Sequence, residues 1–147
     1  MGIYFVYSQG SSYEEIIVPR RIDDWMRQAD KDLKHARTSL AAGDYEWACF
    51  ASQQAAEKAL KALYQSLGGE SFGHSILKMM KELPADIKAT KELLKKAADL
   101  DKFYIPTRYP NGFDWGAPMD YFEEKDAEEA IKDAEKIIKY AKSNILR

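Results

Sequence analysis

The chain has 147 residues, of which 46% are hydrophobic and 31% are charged, and its formal net charge is −2 at pH 7. This composition fits one globular domain with a real core and excludes a disordered chain. The net charge argues against a strongly basic nucleic-acid-binding protein, while a local basic patch remains compatible with it. No segment is apolar for long enough to span a bilayer, so no membrane contact is expected. The single cysteine, Cys49, cannot form an internal disulfide, which favours a cytoplasmic location.

Residues 1–20 are predicted to form an N-terminal arm ahead of the main domain, residues 21–147. The only apolar run in the arm, IYFVY, is short. The arm has neither a basic leader nor a small-residue cleavage site, so we expect no signal peptide. A short strand and a flexible, disordered segment both agree with this composition, and the sequence does not decide between them.

The main domain is predicted to be all-α, an up-and-down bundle of about five helices. Apolar residues recur at helical spacing, and the helices that they predict span about residues 23–43, 45–67, 75–83, 86–103 and 120–145. Asp120, with Glu123 three residues later, is the predicted N-cap of the last helix. The second helix is the predicted centre of the bundle, because a face of small side chains lets a neighbouring helix approach closely. This face consists of Ala48, Ala51, Ala55, Ala59 and Ala62.

The common catalytic and metal-binding motifs are absent from the sequence. Residues 68–75 resemble a phosphate-binding P-loop, but His74 stands where that loop needs lysine, and a helix rather than a strand precedes it. We therefore interpret this segment as a connector between helices. The two histidines, His35 and His74, lie in different segments without metal-binding spacing, so neither a metal nor a cofactor is expected. His35 is predicted to lie at the surface or at its boundary.

Two groups of polar residues are candidates for ligand binding. His74 is predicted to open the third helix, where the helix dipole offers positive potential and free N–H groups to an anion. A capping or packing role is the alternative, because helix ends recruit polar side chains. On the second helix, Gln54, Lys58 and Lys61 share one face, and Glu57 is spaced to form an ion pair with Lys61. This face suits solvent exposure, and it also suits a phosphate or an acidic partner.

The segment FYIPTRYPNGFDWG, residues 103–116, interrupts the helical pattern. Its two prolines break the helix and stiffen the chain. Arg108 lies between them, on the rigid support that a preorganised anion contact needs. The alternative is purely structural, because an arginine among aromatic rings often stacks on them. The aromatic residues predicted to cap the open end of the bundle are Tyr104, Tyr109, Phe113 and Trp115.

Three motifs in this order resemble the HEPN domain (higher eukaryotes and prokaryotes nucleotide-binding). They are WACFASQQAAEKALKAL in the second helix, GHSIL at the start of the third, and YIPTRYPN before the last helix. The resemblance covers about residues 22–142. It implies a helical bundle and a homodimer. It also implies a co-encoded minimal nucleotidyltransferase as partner, with the HEPN protein binding a nucleotide or the substrate of that enzyme.

Other members of the family are toxins, metal-independent ribonucleases paired with that nucleotidyltransferase as antitoxin. These members carry an R-x(4–6)-H signature, and this sequence departs from it, because seven residues separate Arg27 from His35. The resemblance therefore favours a binding module, part of a toxin–antitoxin pair, with a metal-independent ribonuclease toxin that acts on RNA as the alternative. A purely structural oligomer is a third interpretation. The expected binding residues are His74, Arg108, Tyr109, Tyr104, Gln54 and Lys58.

Overall fold

The computed structural model of the chain describes residues 2–7, 13–18 and 21–145. In these residues a two-stranded hairpin precedes five α-helices. The strands are β1 (Gly2–Tyr7) and β2 (Tyr13–Val18), and the helices are α1 (Ile22–Ala42), α2 (Tyr45–Ser66), α3 (Ile76–Lys81), α4 (Lys91–Asp101) and α5 (Glu124–Asn144). The predicted all-α bundle is confirmed, with the hairpin added at its N-terminal side.

Of the two alternatives for the N-terminal arm, its described residues form strands. Strands β1 and β2 pair antiparallel, with Gly2 opposite Val18 and Tyr7 opposite Tyr13. Both strands are rich in the aromatic and β-branched residues that favour extended backbone. Residues 1, 8–12 and 19–20 of the predicted arm lie outside the described residues.

Helix α2 is the centre of the bundle, as predicted. It contacts each of the other four α-helices, and thirteen of its residues are buried. All five alanines of its predicted small-residue face are among them. Because alanine projects only a methyl group, α1 and α5 pack closely against α2 on either side. The alanine face is therefore used inside one bundle.

The start of α4 differs from the prediction by five residues. The chain forms a short 3-10 turn at Ala85–Ile87 and becomes extended before α4 begins at Lys91. Thr90 is the N-cap, and its hydroxyl accepts a hydrogen bond from the backbone N–H of Leu93 at 3.2 Å. Pro84 precedes the 3-10 turn. The Thr90 cap, which satisfies a free N–H of the first turn, therefore places the start of α4 at Lys91, later than predicted.

The predicted N-cap of α5 was wrong. Asp120 closes a 3-10 turn that begins at Pro118, and its carboxylate accepts from the backbone N–H of Ala117 at 2.9 Å. The N-cap is Glu123 instead, whose backbone N–H donates to Asp126 at 2.8 Å. Pro118 is the first residue of this turn, a position that proline favours, so the turn forms separately from α5.

None of the helices in the described part of the chain has an apolar stretch of the length needed to cross a membrane.

The thiol of Cys49 lies in the core on α2, and burial raises its pKa to about 12, with the negative charges of Asp126 and Glu46 adding to the effect. The folded protein therefore holds the thiol in its protonated, unreactive form. We expect iodoacetamide at about pH 8 to leave Cys49 unmodified in the native protein and to alkylate it once urea unfolds the chain. Mass spectrometry measures both. Alkylation of the native protein at the rate of a free thiol would contradict this placement.

Candidate functional site

The segment after α4 is a series of turns held by local hydrogen bonds. The buried hydroxyl of Thr107 donates to the carbonyl of Phe103 at 2.5 Å. The backbone N–H of Arg108 donates to Ile105 at 3.1 Å. These bonds and the ring of Pro106 fix the backbone from which the Arg108 side chain extends.

Arg108 is held in one orientation by its own segment. Its Nε and Nη2 both donate to the carbonyl of Tyr104, at 3.0 and 2.5 Å. Its Cζ lies 4.2 Å from the ring centroid of Phe50, 4.8 Å from that of Tyr104 and 5.2 Å from that of Tyr109. No carboxylate of the described residues lies within ion-pair distance of the half-buried guanidinium. The result is a preorganised cation without a counterion in this part of the chain.

His74 is held in place by two side chains of α2. Its Nδ1 lies 2.9 Å from a carboxylate oxygen of Glu57, which is 3% exposed, and its backbone carbonyl accepts from the amide of Gln53 at 3.1 Å. An ionised carboxylate only accepts hydrogen bonds, so Nδ1 carries the proton and Nε2 is the acceptor of the neutral ring. About half of the His74 side chain, 52%, is exposed. Nε2 is thus the ring nitrogen left to contact solvent or a ligand.

Tyr104 brings the two candidate residues together. The imidazole of His74 stacks on its ring with centroids 4.4 Å apart and planes inclined by 20°. The guanidinium of Arg108 lies against the same ring. We call this arrangement the Tyr104 site. It consists of Phe50, Glu57, His74, Tyr104, Arg108 and Tyr109.

The predicted anion site at the start of the third helix was wrong. Ser75, not His74, is the N-cap of α3. The backbone N–H groups of Ile76 and Leu77 already donate to the carboxylate of Asp101, at 2.8 and 3.0 Å. They are therefore unavailable to a ligand. His74 precedes the cap, where its ring packs on Tyr104 instead.

The predicted polar face of α2 is engaged within the protein. Lys58 forms an ion pair with Asp32 of α1 at 2.5 Å. The amide of Gln54 donates to Gln53 at 2.8 Å, which places Gln54 next to the residue that supports His74. The structure thus brings Gln54 to the edge of the Tyr104 site and ties Lys58 to α1. The predicted ion pair between Glu57 and Lys61 is present, at 3.7 Å.

The aromatic residues of 103–116 only partly cap the bundle. Tyr104 packs on Phe50, and Phe113 stacks on Tyr121 with centroids 4.1 Å apart. Trp115 is 78% exposed and Tyr109 is 49% exposed, so the prediction was wrong for these two rings. The tight turns of the segment leave them at the surface.

The residues that support the site from inside the bundle were not among the predicted site residues. Gln53 and Glu57 are buried, and Asp101 binds the start of α3. One signal was available for two of them: Gln53 and Glu57 lie four apart among the alanines that face the core. A polar pair on the buried face of a helix needs buried partners. Within the described residues no three histidine, cysteine, aspartate or glutamate side chains cluster to hold a metal ion.

The stacking of Arg108 on aromatic rings is testable through its contribution to stability. We expect Arg108→Lys to lower the free energy of unfolding by about 1 kcal/mol, because an ammonium group cannot stack flat on Phe50 or reproduce the two bonds that the guanidinium donates to the Tyr104 carbonyl oxygen. Arg27→Lys is the matched control, since the Arg27 side chain is 83% exposed. Urea unfolding followed by circular dichroism compares them. Equal stability of the two variants would contradict the observed packing.

Comparison with known proteins places the chain in a family. The model of the HEPN domain family matches residues 22–144. A Methanocaldococcus jannaschii protein named "Putative toxin MJ1304" is 29% identical over 128 residues, which are 80% of this chain and 84% of that protein.

Crystal structures of similar proteins have the same fold. TT1696 from Thermus thermophilus is 44% identical, with a TM-score of 0.84 over 86% of this chain and 99% of that one. ST0689, described as an archaeal HEPN homologue, is 45% identical, with a TM-score of 0.72 over 87% of this chain and 100% of that one. An HEPN domain protein from Thermotoga maritima is 37% identical, with a TM-score of 0.67 over 82% of this chain and 95% of that one. The chain therefore belongs to the HEPN domain family.

Proposed function

We propose that this HEPN protein is a nucleotide- or RNA-binding component of a toxin–antitoxin pair, and that the Tyr104 site is where it binds the phosphate. The observation that carries the proposal is the orientation of Arg108, whose guanidinium is fixed by the Tyr104 carbonyl and three rings. A cation held in place, with no carboxylate of the described residues within ion-pair distance, suits an incoming phosphate. The name of the M. jannaschii relative supports the toxin part of the proposal.

The rings around Arg108 support a nucleotide rather than a simple anion. Tyr109 and Trp47 are both 49% exposed, and Trp47 lies edge-to-face against Phe50 with centroids 6.3 Å apart. Exposed rings next to a phosphate-binding cation are the usual platform for the unstacked bases of a single strand. The formal net charge of −2 agrees with a local site rather than with an extended basic surface.

A second candidate function, metal-independent ribonuclease, is favoured by the contact between His74 and Glu57. In the neutral ring this contact favours the tautomer in which Nε2 is the nitrogen able to accept a proton. In that reaction Nε2 removes the proton of the ribose 2′-hydroxyl, O2′ attacks phosphorus, and the bond from phosphorus to O5′ breaks. The leaving O5′ takes a proton from water, and His74 returns its proton to solvent. Arg108 would stabilise the negative charge that develops on the phosphate.

The partners in this proposal are a second copy of the chain and a co-encoded minimal nucleotidyltransferase, in the cytoplasm. The alanine face of α2 is unavailable to either, because it is buried in the bundle. Large apolar side chains at the surface offer the alternative. In the described part of the chain, and apart from Trp47 and Tyr109 of the proposed nucleotide platform, those at least 44% exposed are Phe72, Ile105, Trp115, Met119 and Tyr121. Aromatic side chains and methionine are enriched at protein–protein interfaces relative to the rest of the surface.

We expect the purified protein to be a dimer by light scattering, and Trp115→Ser to weaken it. The exposed indole is the largest apolar group available to the partner. Lys125→Ser, which removes a side chain that is 75% exposed, is the control and leaves the dimer intact. A monomeric wild type, or equal dissociation of both variants, would contradict this interface.

The proposed function itself is tested with labelled single-stranded RNA in EDTA, by fluorescence anisotropy and by electrophoresis of the RNA. We expect Arg108→Ala to raise the Kd at least about tenfold, because a charge-assisted contact is lost. His74→Ala is expected to weaken binding and to remove any cleavage. The chain offers matched controls in Arg27→Ala and His35→Ala, both at exposed positions.

Each outcome decides between the two candidate functions. Binding and cleavage by the wild type, with cleavage lost in His74→Ala, support the ribonuclease. Binding without cleavage supports the binding module and excludes the ribonuclease. No binding by the wild type, or equal loss in the exposed controls, contradicts the assignment of the Tyr104 site.

A further inference from the structure

We infer that Asp101 is a positioning residue for the Tyr104 site, joining the segment that carries His74 to the segment that carries Tyr104 and Arg108. The ligand named in the test rests on the proposed function, whereas the positioning role rests on the contacts of Asp101 alone. Asp101 is the last residue of α4. Asp101 precedes the segment 103–116 and lies in none of the three motifs that resemble the HEPN domain.

The side chain of Asp101 binds the residues that directly follow His74. One carboxylate oxygen accepts from the backbone N–H of Ile76 at 2.8 Å. The other accepts from the hydroxyl of Ser75 at 2.9 Å and from the backbone N–H of Leu77 at 3.0 Å. Three donors on consecutive residues fix both the position and the direction of the chain as it leaves His74.

The backbone of Asp101 leads into the other half of the site. The N–H of Tyr104 donates to the Asp101 carbonyl at 3.4 Å, and the N–H of Phe103 donates to Leu100 at 3.0 Å. Tyr104 then supplies both its carbonyl to Arg108 and its ring to His74. A single residue thus connects through its side chain to one half of the site and through its backbone to the other.

Asp101 lies at the end of α4, where a carboxylate is electrostatically unfavourable for its own helix. A carboxylate in the last turn of a helix faces the negative end of the dipole of its own helix, which is destabilising. Asp101 offsets this cost by accepting bonds from the N–H groups at the start of α3. The neighbouring Asp99 has no such role, since its contacts are surface ion pairs with Lys95 and Lys102 at 3.5 and 3.4 Å. Asp99 is therefore the matched control.

The test compares Asp101→Asn, Asp101→Ala and Asp99→Asn in the full-length protein. In Asp101→Asn an amide NH2 group faces donors that need an acceptor, and in Asp101→Ala all three bonds are lost. The first readout is the imidazole signal of His74 by NMR at fixed pH. The chain has two histidines, so His35, at an exposed position, is an internal reference. The second readout is the Kd for a fluorescein-labelled single-stranded oligoadenylate.

We expect both Asp101 variants to shift the His74 signal and to leave the His35 signal in place. The Kd for the oligoadenylate should rise about tenfold or more, because misplacement of a binding group by about 1 Å is costly. Asp99→Asn should change neither readout. If Asp101→Ala fails to fold, Asp101→Asn decides, since its shape preserves the packing.

The two proposals fail in different ways. An unchanged His74 signal in a folded Asp101→Asn protein overturns the positioning role, whatever the wild type binds. Equal Kd values for wild type and Asp101→Asn also overturn it. No binding by the wild type, together with a shifted His74 signal in Asp101→Asn, supports the positioning role and contradicts the proposed function.

Discussion

A carboxylate buried on the central helix has to be compensated, and the way in which Glu57 is compensated shapes the site. Leaving it unpaired in the core would cost several kcal/mol. The Lys61 ammonium supplies the opposite charge at 3.7 Å, and the His74 imidazole supplies a hydrogen bond at 2.9 Å. Because α2 contacts all other α-helices, Glu57 is on the most constrained element of the bundle. The contact with Glu57 therefore holds the His74 ring in place although the loop that carries it is exposed.

The second constraint comes from the turns after α4, which place Arg108 over rings rather than in solvent. Its guanidinium is oriented by the Tyr104 carbonyl, and the Tyr104 ring also carries His74. Two residues that are far apart in the sequence therefore share one aromatic side chain.

Sequence periodicity predicted the bundle and its central helix, because apolar spacing reports directly which side of a helix is covered. The helix starts at Lys91 and Glu124 were predicted several residues too early, since local caps and a 3-10 turn competed with helical propensity. Arg108, His74 and Tyr104 were identified as candidates from their unusual setting. The stacking of His74 on Tyr104 and the contacts of Glu57 and Asp101 with the segment around His74 join residues that are distant in the sequence, so periodicity does not predict them.

An NMR titration of the isotope-labelled wild type with AMP tests directly whether the site built around Tyr104 binds a nucleotide phosphate. The side-chain N–H signals of arginine and the two histidine ring signals report the site without any substitution. We expect saturable shifts of the Arg108 Nε–H and the His74 ring, with His35 and Arg27 unaffected. Saturable shifts confined to other residues, or none on Arg108 and His74, would contradict binding at this site.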